Sequence, residues 1–263
     1  EVLGWCGKAV DSLADRLLWR EFRDDNFDLN TIYCMNNADV LFDSAVLSAL
    51  ISSCCFVYIS QAENGFPRLQ VIDGGNATGV MDEVTGLLRE GYAVLARDPD
   101  SDRPMLEAYF TAGSTWYYPK GQKPYRVTNS APAPLLVPIV YRPDAKRPFG
   151  HSRISRACMG LQQGALRTLK RSEISAEFYS FPQKYVLGTS NEAEQLDKWK
   201  ATISSLLEIT KDEDGDKPVV GQFTQQSMSP YTEQLRTFAA LFAGETGLTL
   251  DDLGFVTDNP SSA

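Results

Sequence analysis

The first hydrophobic pattern along the chain is helical. Between residues 2 and 22, apolar side chains fall on one face of a helix, and most of the charged side chains fall on the other. A second helix is expected at 38–52. It leads directly into residues 54–59, whose β-branched and aromatic side chains predict a buried strand. The apolar positions of the first helix are Leu3, Val10, Leu13, Leu17 and Leu18.

The pattern then changes to short segments that predict strands. Apolar or aromatic segments at 69–71, 92–95, 105–109 and 115–118 are each bounded by Gly, Pro, Asp or Asn. Short segments between turn residues are typical of antiparallel strands. Residues 135–141, after an Ala-Pro-Ala-Pro run, predict one last strand. This part of the chain is therefore expected to be rich in β-structure.

Beyond residue 151 a longer helical pattern begins. From 152 to 180 no proline interrupts apolar residues spaced three and four apart, and such a helix would be roughly 40 Å long. A return helix is expected from Ser229, as the N-cap, to Thr246, with Pro230 in its first turn and Gly247 as its stop. Two such helices around an insertion predict an antiparallel hairpin with the insertion at its tip.

The insertion itself reads as a compact strand–helix–strand unit. Strands are expected at 185–188 and 219–220. Between them, Asn191 and Glu194 have the spacing of a capping box at the start of a helix. The fold prediction is therefore α+β: a mixed α/β body with antiparallel strands, and a hairpin of long helices that carries a small α/β insertion.

Composition excludes several classes of protein. The 263 residues are 43% hydrophobic and 22% charged, which indicates a globular chain. A net charge of −9 excludes a generally basic coat for nucleic acid. The single histidine argues against zinc sites and histidine relays. The five cysteines form no C-x-x-C pair, so we expect reduced, buried thiols in a cytoplasmic protein, and no apolar run reaches the length of a membrane span.

The charge is divided unevenly along the chain. Residues 142–171 carry a net charge of +7, which leaves −16 for the remainder. A basic stretch on a long helix has two interpretations, contact with a nucleic-acid backbone or pairing with acidic residues of a neighbouring copy. Because acidic residues follow the basic ones along the helix, we favour the packing of identical subunits side by side. The expected interface residues are Arg153, Arg156, Arg167, Lys170, Arg171, Glu173 and Glu177.

Three local motifs are candidates for binding or catalytic sites. The glycine cluster at 74–79 lacks the Lys-Ser/Thr ending of a phosphate-binding loop, and a hairpin turn is the better interpretation. The acidic segment 211–216 resembles half of a calcium loop but lacks its first and twelfth ligands, so a solvated turn is expected. His151 precedes Ser152, but nothing nearby in the sequence suggests an orienting acid or an oxyanion pocket, and a role at the helix entry or in a subunit contact is expected.

Several stretches resemble siphophage portal proteins. The segment Phe-Gly-His-Ser-Arg-Ile at 149–154, Leu161-Gln162 and residues 173–188 are similar to the central region of that family. Residues 5–17, 49–59 and 253–263 fit the same family. The resemblance covers nearly the whole chain, and it rests on fold-type patterns rather than on a catalytic signature. The opening glutamate and the ending at Ser-Ser-Ala further predict the core of a longer protein.

The resemblance implies a non-enzymatic ring subunit, usually one of twelve, at one vertex of a tailed-phage capsid. Double-stranded DNA would pass through its tunnel without sequence specificity during packaging and ejection. The implied divisions are a wing (1–148), a first stem helix (149–181), a clip (182–228), a second stem helix (229–247) and the start of a tunnel loop (248–263). Tunnel walls in the family are acidic, so the basic helix face is expected to meet a neighbouring subunit.

The resemblance also implies partners and contact residues. The clip would bind the terminase large subunit and later head-completion or adaptor proteins, and the ring would meet capsid and scaffold proteins in the virion, after assembly in the bacterial cytoplasm. No cofactor, metal or membrane is implied. The implied DNA-facing residues are Leu248, Thr249, Asp251 and Asp252, and the implied docking residues of the clip are Trp199, Asp212, Glu213 and Asp214.

Two other functions stay open on the sequence. The first is a nucleic-acid-processing enzyme of the packaging machinery that binds a divalent metal through Asp251, Asp252 and other acidic residues. The second is a structural head–tail adaptor, which would assemble into rings without binding terminase through residues 182–228.

Overall fold

A computed structural model describes residues 2–24, 26–61, 65–180, 184–187, 219–222 and 227–255. The chain divides into two compact units, one formed by Gly4–Met159 and the other by Gly160–Ala263 with Glu1–Leu3. The predicted α+β class is confirmed, because helices and antiparallel sheets both occur. No helix among these residues combines the length and the hydropathy needed to cross a bilayer.

Three helices open the unit Gly4–Met159. They are α1 (Trp5–Ala14), α2 (Leu29–Met35) and α3 (Ala38–Ser52). The predicted bounds of α3 are confirmed, whereas the helix predicted at 2–22 is shorter than expected and α2 was not predicted. Because α1 ends at Ala14, Leu17 and Leu18 do not continue its buried face, and they are 42% and 77% exposed.

An aromatic cluster takes the place of the missing helical turns after α1. Trp19, Phe22 and Tyr33 pack with ring centroids 4.3 to 5.8 Å apart. The Asn30 side chain accepts a hydrogen bond from the Phe22 N–H and donates one to the Phe22 carbonyl oxygen. The side-chain amide thus satisfies the backbone of Phe22, which has no helical hydrogen bonds.

Eight strands follow in two antiparallel sheets. One sheet has the order β2-β1-β8 and the other has the order β3-β4-β5-β6-β7. The predicted strands all occur, and the strands β3 and β7 were missed. The strands are β1 (Cys54–Gln61), β2 (Pro67–Asp73), β3 (Ala77–Met81), β4 (Leu88–Arg97), β5 (Pro104–Thr111), β6 (Ser114–Pro119), β7 (Tyr125–Thr128) and β8 (Leu136–Val140).

The main core of this unit lies between the two sheets. Phe56 on β1, Phe110 on β5 and Leu136 on β8 are almost completely buried there. Burial of each of these side chains contributes about 1.5–3 kcal/mol. Helix α3 packs on the other face of the three-stranded sheet, where Ala45 and Ala49 contact Cys55. Burial raises the pKa of the Cys55 thiol to about 12. Cys54, Cys55 and Cys158 are buried as expected, whereas Cys6 is half-buried and Cys34 is exposed, so the prediction that all five cysteines are buried is wrong.

The glycine cluster at 74–79 forms a turn, but not a hairpin. The N–H of Asn76 donates to the Asp73 carbonyl oxygen at 2.9 Å, which closes a tight turn. That turn joins β2 to β3, and these strands belong to different sheets, so the predicted hairpin is wrong. A Cβ at Gly74 would overlap the Cys54 carbonyl oxygen, and one at Gly79 would overlap that of Glu90. Glycine is therefore required there for close backbone approach, not for a phosphate.

The second unit contains the long helices and a small sheet. Its elements are α4 (Arg156–Ser180) without its first four residues, which belong to the Gly4–Met159 unit, β9 (Lys184–Leu187), β10 (Val219–Gln222) and α5 (Ser229–Thr246). Strands β9 and β10 pair antiparallel, with Leu187 opposite Val219, and both were predicted. The helix and capping box predicted within 191–207, and the acidic turn at 211–216, lie outside the described residues.

The ends of the long helices differ slightly from the prediction. Helix α4 begins at Arg156 rather than near Ser152, because the Ser155 hydroxyl accepts a hydrogen bond from the Cys158 N–H and caps the first turn. Helix α5 begins one residue early, with Met228 at its N-cap position and the proline in its first turn. The predicted stop is confirmed: Gly247 adopts a left-handed conformation with φ 70° and closes α5.

Candidate subunit-interface and DNA-facing surfaces

The helices α4 and α5 pack against each other as an antiparallel hairpin. Thr168 donates a hydrogen bond to Gln234 at 3.2 Å. Seven residues further along α4, the Ser175 and Tyr231 hydroxyls lie 2.8 Å apart. The residue number of the contact on α5 falls as the residue number on α4 rises, so the two helices run antiparallel. At the third contact Gly164 faces Phe238 so closely that a Cβ would come within 2.7 Å of the ring. The predicted hairpin of long helices is confirmed.

The basic residues of α4 are exposed and lie outside this contact. Ala165 and Thr168 are buried against α5, whereas Arg167, Lys170 and Arg171 are exposed. Helical spacing places Arg156, also exposed, on the same outer face as Arg167. None of these four cations forms a salt bridge within the described part of the chain. They form an outward basic row, which we call the α4 basic face.

Two predicted acidic interface residues follow on the same helix. Glu173 and Glu177 are exposed in the C-terminal half of α4. The helix therefore carries charges of both signs, and the cations precede the acidic residues along it. An arrangement of this kind can pair with a neighbouring copy that is displaced along the helix axis.

Arg153 has a different position from the other predicted interface residues. It precedes α4, and its Nε donates to the Ala9 carbonyl oxygen at 2.8 Å. This hydrogen bond links α1 to the segment before α4 within the Gly4–Met159 unit. Its Nη1 also approaches the Tyr141 hydroxyl at 3.5 Å. Because the side chain is half-buried and hydrogen-bonded within Gly4–Met159, it is not part of the α4 basic face. Its role at a subunit interface stays a prediction.

The residues predicted to face DNA form a small capped turn after α5. Thr249 donates its N–H and its hydroxyl to the Asp252 carboxylate, at 2.9 Å each. The Asp252 N–H donates back to the Thr249 hydroxyl at 3.2 Å. This reciprocal cap begins a 3-10 turn at Asp251–Leu253, and the Leu248 N–H donates to Ala243 at the end of α5. Thr249 and Asp251 are exposed.

The same geometry bears on the metal-site hypothesis for Asp251 and Asp252. The Asp252 carboxylate is used as the cap of the turn. Among the residues that the structure describes, no group of three or more His, Cys, Asp or Glu side chains is arranged to hold a metal ion. The Asp252 carboxylate therefore has a structural role in this turn, and the metal-site hypothesis stays a hypothesis.

His151 has an acidic partner that was not found from the sequence. Its Nε2 lies 2.5 Å from the Asp144 carboxylate, and its Nδ1 lies 3.3 Å from an Arg147 nitrogen. The hydrogen bond from His151 and the N–H groups of Lys146 and Arg147 lower the pKa of Asp144 to about 2. The Ser152 hydroxyl donates to the Ile51 carbonyl oxygen instead of to the histidine. His151 therefore closes the loop between β8 and α4, as expected for a helix entry.

The predicted docking residues of the clip are not described. Trp199, Asp212, Glu213 and Asp214 lie outside the described residues. The strands that flank them, β9 and β10, are described and form an antiparallel pair. The role of these four residues stays a prediction.

Comparisons with known proteins agree with this geometry. No protein-family profile matches the chain. The chain is 24% identical to the portal protein of Mycobacterium phage D29 over 273 aligned positions, which cover 97% of this chain and 56% of that protein. The chain is therefore similar in sequence to a phage portal protein over nearly its whole length. The resemblance inferred from the sequence is confirmed, and the chain spans about half the length of this relative.

A solved structure has a fold similar to that of this chain. A chain from the neck of an empty gene transfer agent particle superposes with a TM-score of 0.52 and 13% identity, covering 98% of this chain and 68% of that one. This likeness concerns the fold alone, because the sequence identity is low.

Proposed function

We propose that this chain is the core of a ring-forming portal subunit at the capsid vertex of a tailed phage or a related particle. Double-stranded DNA would pass through the ring during packaging and ejection, and the subunit would not be an enzyme. The observation that carries the proposal is the α4–α5 hairpin with an unpaired basic face, in a chain aligned over 97% of its length with a portal protein.

The α4 basic face supplies the attraction between subunits in this proposal. Its cations are exposed in the single chain, while the sequence outside residues 142–171 carries a net charge of −16. Arg167, Lys170 and Arg171 of one subunit would pair with acidic residues of the next, Glu173 and Glu177 among them. In a closed ring every subunit gives and receives this contact, so modest pairs are repeated around the whole assembly.

The DNA-facing surface would act by weak binding. The turn after α5 presents the negative charges of Asp251 and Asp252, and its conformation is fixed by the Thr249–Asp252 cap. Carboxylates and phosphates repel each other, so DNA would have little to hold it. A wall of this kind lets a polyanion slide. The clip, with Trp199 and the acidic residues 212–214, would bind terminase and later the head-completion proteins.

The test is ring assembly by the full-length protein in mass photometry and negative-stain electron microscopy. We expect closed rings for the native protein. Reversal of three cations, Arg167→Glu with Lys170→Glu and Arg171→Glu, replaces attraction by repulsion, at a cost of about 1–3 kcal/mol per interface. Each contact would weaken by about 5- to 150-fold, and rings should be lost at micromolar concentration.

A matched variant controls for the change in net charge. Lys8, Lys120 and Lys123 are exposed lysines of the Gly4–Met159 unit, and their reversal to Glu changes the charge by the same amount. This control should still form rings. Equal loss of rings in both variants would overturn the assignment of the α4 basic face. A protein that stays monomeric at high concentration, even with capsid protein present, would overturn the portal function, and rings that fail to bind terminase through 182–228 would indicate an adaptor.

A further inference from the structure

The five-stranded sheet carries a row of aromatic side chains on one face. In its register Tyr92 on β4 pairs with Tyr109 on β5, Tyr109 pairs with Trp116 on β6, and Trp116 pairs with Arg126 on β7. Directly paired residues of antiparallel strands point to the same side of a sheet. Tyr118, two residues after Trp116, joins the same face. We call this surface the aromatic face.

The aromatic face points away from the core. The core residues Ala93, Ala108 and Phe110 alternate with it along β4 and β5 and are fully buried on the opposite side. By contrast, Trp116 is 37% exposed and Tyr118 is 42% exposed. Tyr92 and Tyr109 on the neighbouring strands are half-buried. A row of aromatic side chains that stays partly in water across adjacent strands is typical of a binding surface.

Two carboxylates lie among these rings. Glu107 occurs one row from Tyr109, opposite Val94 and Tyr118, and Glu90 lies in the row on the other side. The Tyr109 hydroxyl donates to Glu90 at 2.6 Å, and the Tyr92 hydroxyl donates to Glu107. The hydrogen bond to Glu107 raises the pKa of Tyr92 to about 12, so the hydroxyl remains a donor at neutral pH. Each carboxylate is thus held in place on the face, and a carboxylate can accept further hydrogen bonds.

One cation already sits against this face. The guanidinium carbon of Arg126 lies 5.5 Å from the centre of the Trp116 ring. That distance is within the range of a cation–π contact, in which arginine and tryptophan are a favoured pair. The chain itself therefore shows which kind of side chain these rings accept.

We propose that the aromatic face binds a segment of a partner protein that carries arginine side chains. Guanidinium groups would stack on Trp116, Tyr118 and the tyrosine rings and would donate hydrogen bonds to Glu90 and Glu107. Exposed rings on an antiparallel sheet also suit the stacking of nucleic-acid bases. The two carboxylates decide between these ligands, because they attract guanidinium groups and repel phosphates. The proposal is independent of the ring function.

The test is isothermal titration calorimetry of the full chain with three probes: octaarginine, octalysine and the oligonucleotide dT8, at low salt. Octaarginine should bind with saturation and about fivefold more tightly than octalysine, because lysine stacks less well on aromatic rings. The oligonucleotide should not bind. Trp116→Leu should weaken the binding of octaarginine and remove most of the difference in affinity between octaarginine and octalysine.

Variants that lack the two carboxylates distinguish a specific binding site from non-specific attraction of the peptide to an acidic protein. Glu90→Gln with Glu107→Gln should weaken octaarginine by at least about fivefold. The matched control, Asp11→Asn with Asp39→Asn, removes the same charge from exposed positions of α1 and α3 and should change affinity by less than about twofold. Equal weakening in the two variants, no saturable peptide binding, or preferential binding of dT8 would each overturn the proposal. Circular dichroism verifies that every variant is folded.

Discussion

The contact between Gly164 and Phe238 allows a sharp test of the helix hairpin. A Cβ added at Gly164 would lie 2.7, 2.8 and 3.3 Å from three carbons of the Phe238 ring. Gly160 is on the same helix, and a Cβ there would meet no atom within 4 Å. The same change to alanine at the two positions therefore differs only in the packing against α5.

The magnitudes follow from two opposing effects. Replacement of glycine by alanine inside a helix stabilises it by about 1 kcal/mol. Gly160→Ala should gain this amount in the free energy of unfolding. Gly164→Ala should gain it too but lose about 1–3 kcal/mol to overpacking, because the ring has to move. The two variants should thus differ by about 1–3 kcal/mol, with Gly164→Ala the less stable.

Native-state hydrogen exchange of the α4 and α5 amides measures this difference locally, and thermal unfolding measures it globally as a gap of roughly 2–12 °C. Combination of Gly164→Ala with Phe238→Leu should recover most of the loss, since the smaller side chain leaves space for the new methyl group. Equal stability of the two alanine variants would refute the close approach of the helices at this point.

Two further predictions concern single side chains. Asp252→Ala removes the cap of the turn after α5, and it should destabilise that turn by about 0.5–2 kcal/mol, seen as faster hydrogen exchange at Thr249 and Asp252. Unchanged exchange would mean that the cap does not hold the turn. The lowered pKa of Asp144 means that its stabilising effect is present above its ordinary pKa of 3.8 and is lost as the pH falls towards about 2. NMR titration of the carboxyl should show this midpoint, Asp144→Asn should remove the acid sensitivity of the loop, and a midpoint near 3.8 would contradict the pairing with His151.

Local patterns determined the helices that have a continuous apolar face. The three- and four-residue spacing along 156–180 and 229–246 predicted α4 and α5 with small errors at their ends, and the left-handed stop at Gly247 followed from glycine itself. The same reasoning failed between residues 15 and 22. Leu17 and Leu18 have helical spacing, but Trp19 packs on Tyr33, a contact that no local period can indicate.

The candidate surfaces divide in the same way. The cations Arg156, Arg167, Lys170 and Arg171 could be placed on one face of a helix from their spacing alone. Arg153 could not be separated from them, because its carbonyl partner belongs to Ala9, far away in the sequence. The sequence contained only a weak indication that Asp144 pairs with His151, namely an acid seven residues before the only histidine. The two side chains come together only through the conformation of the loop between them.

The sequence by itself determined the α+β class, most of the elements, with α2, β3 and β7 as exceptions, and the hairpin of two long helices. These properties depend on periodicity and turn residues that are encoded locally, whereas the resemblance to portal proteins came from matching segments of sequence. Only the tertiary structure decided which strands share a sheet, so that β2 and β3 lie in different sheets although only three residues lie between Asp73 and Ala77. Only the strand register brought Tyr92, Tyr109 and Trp116 onto one face, because pairing between strands joins residues that are distant in the chain.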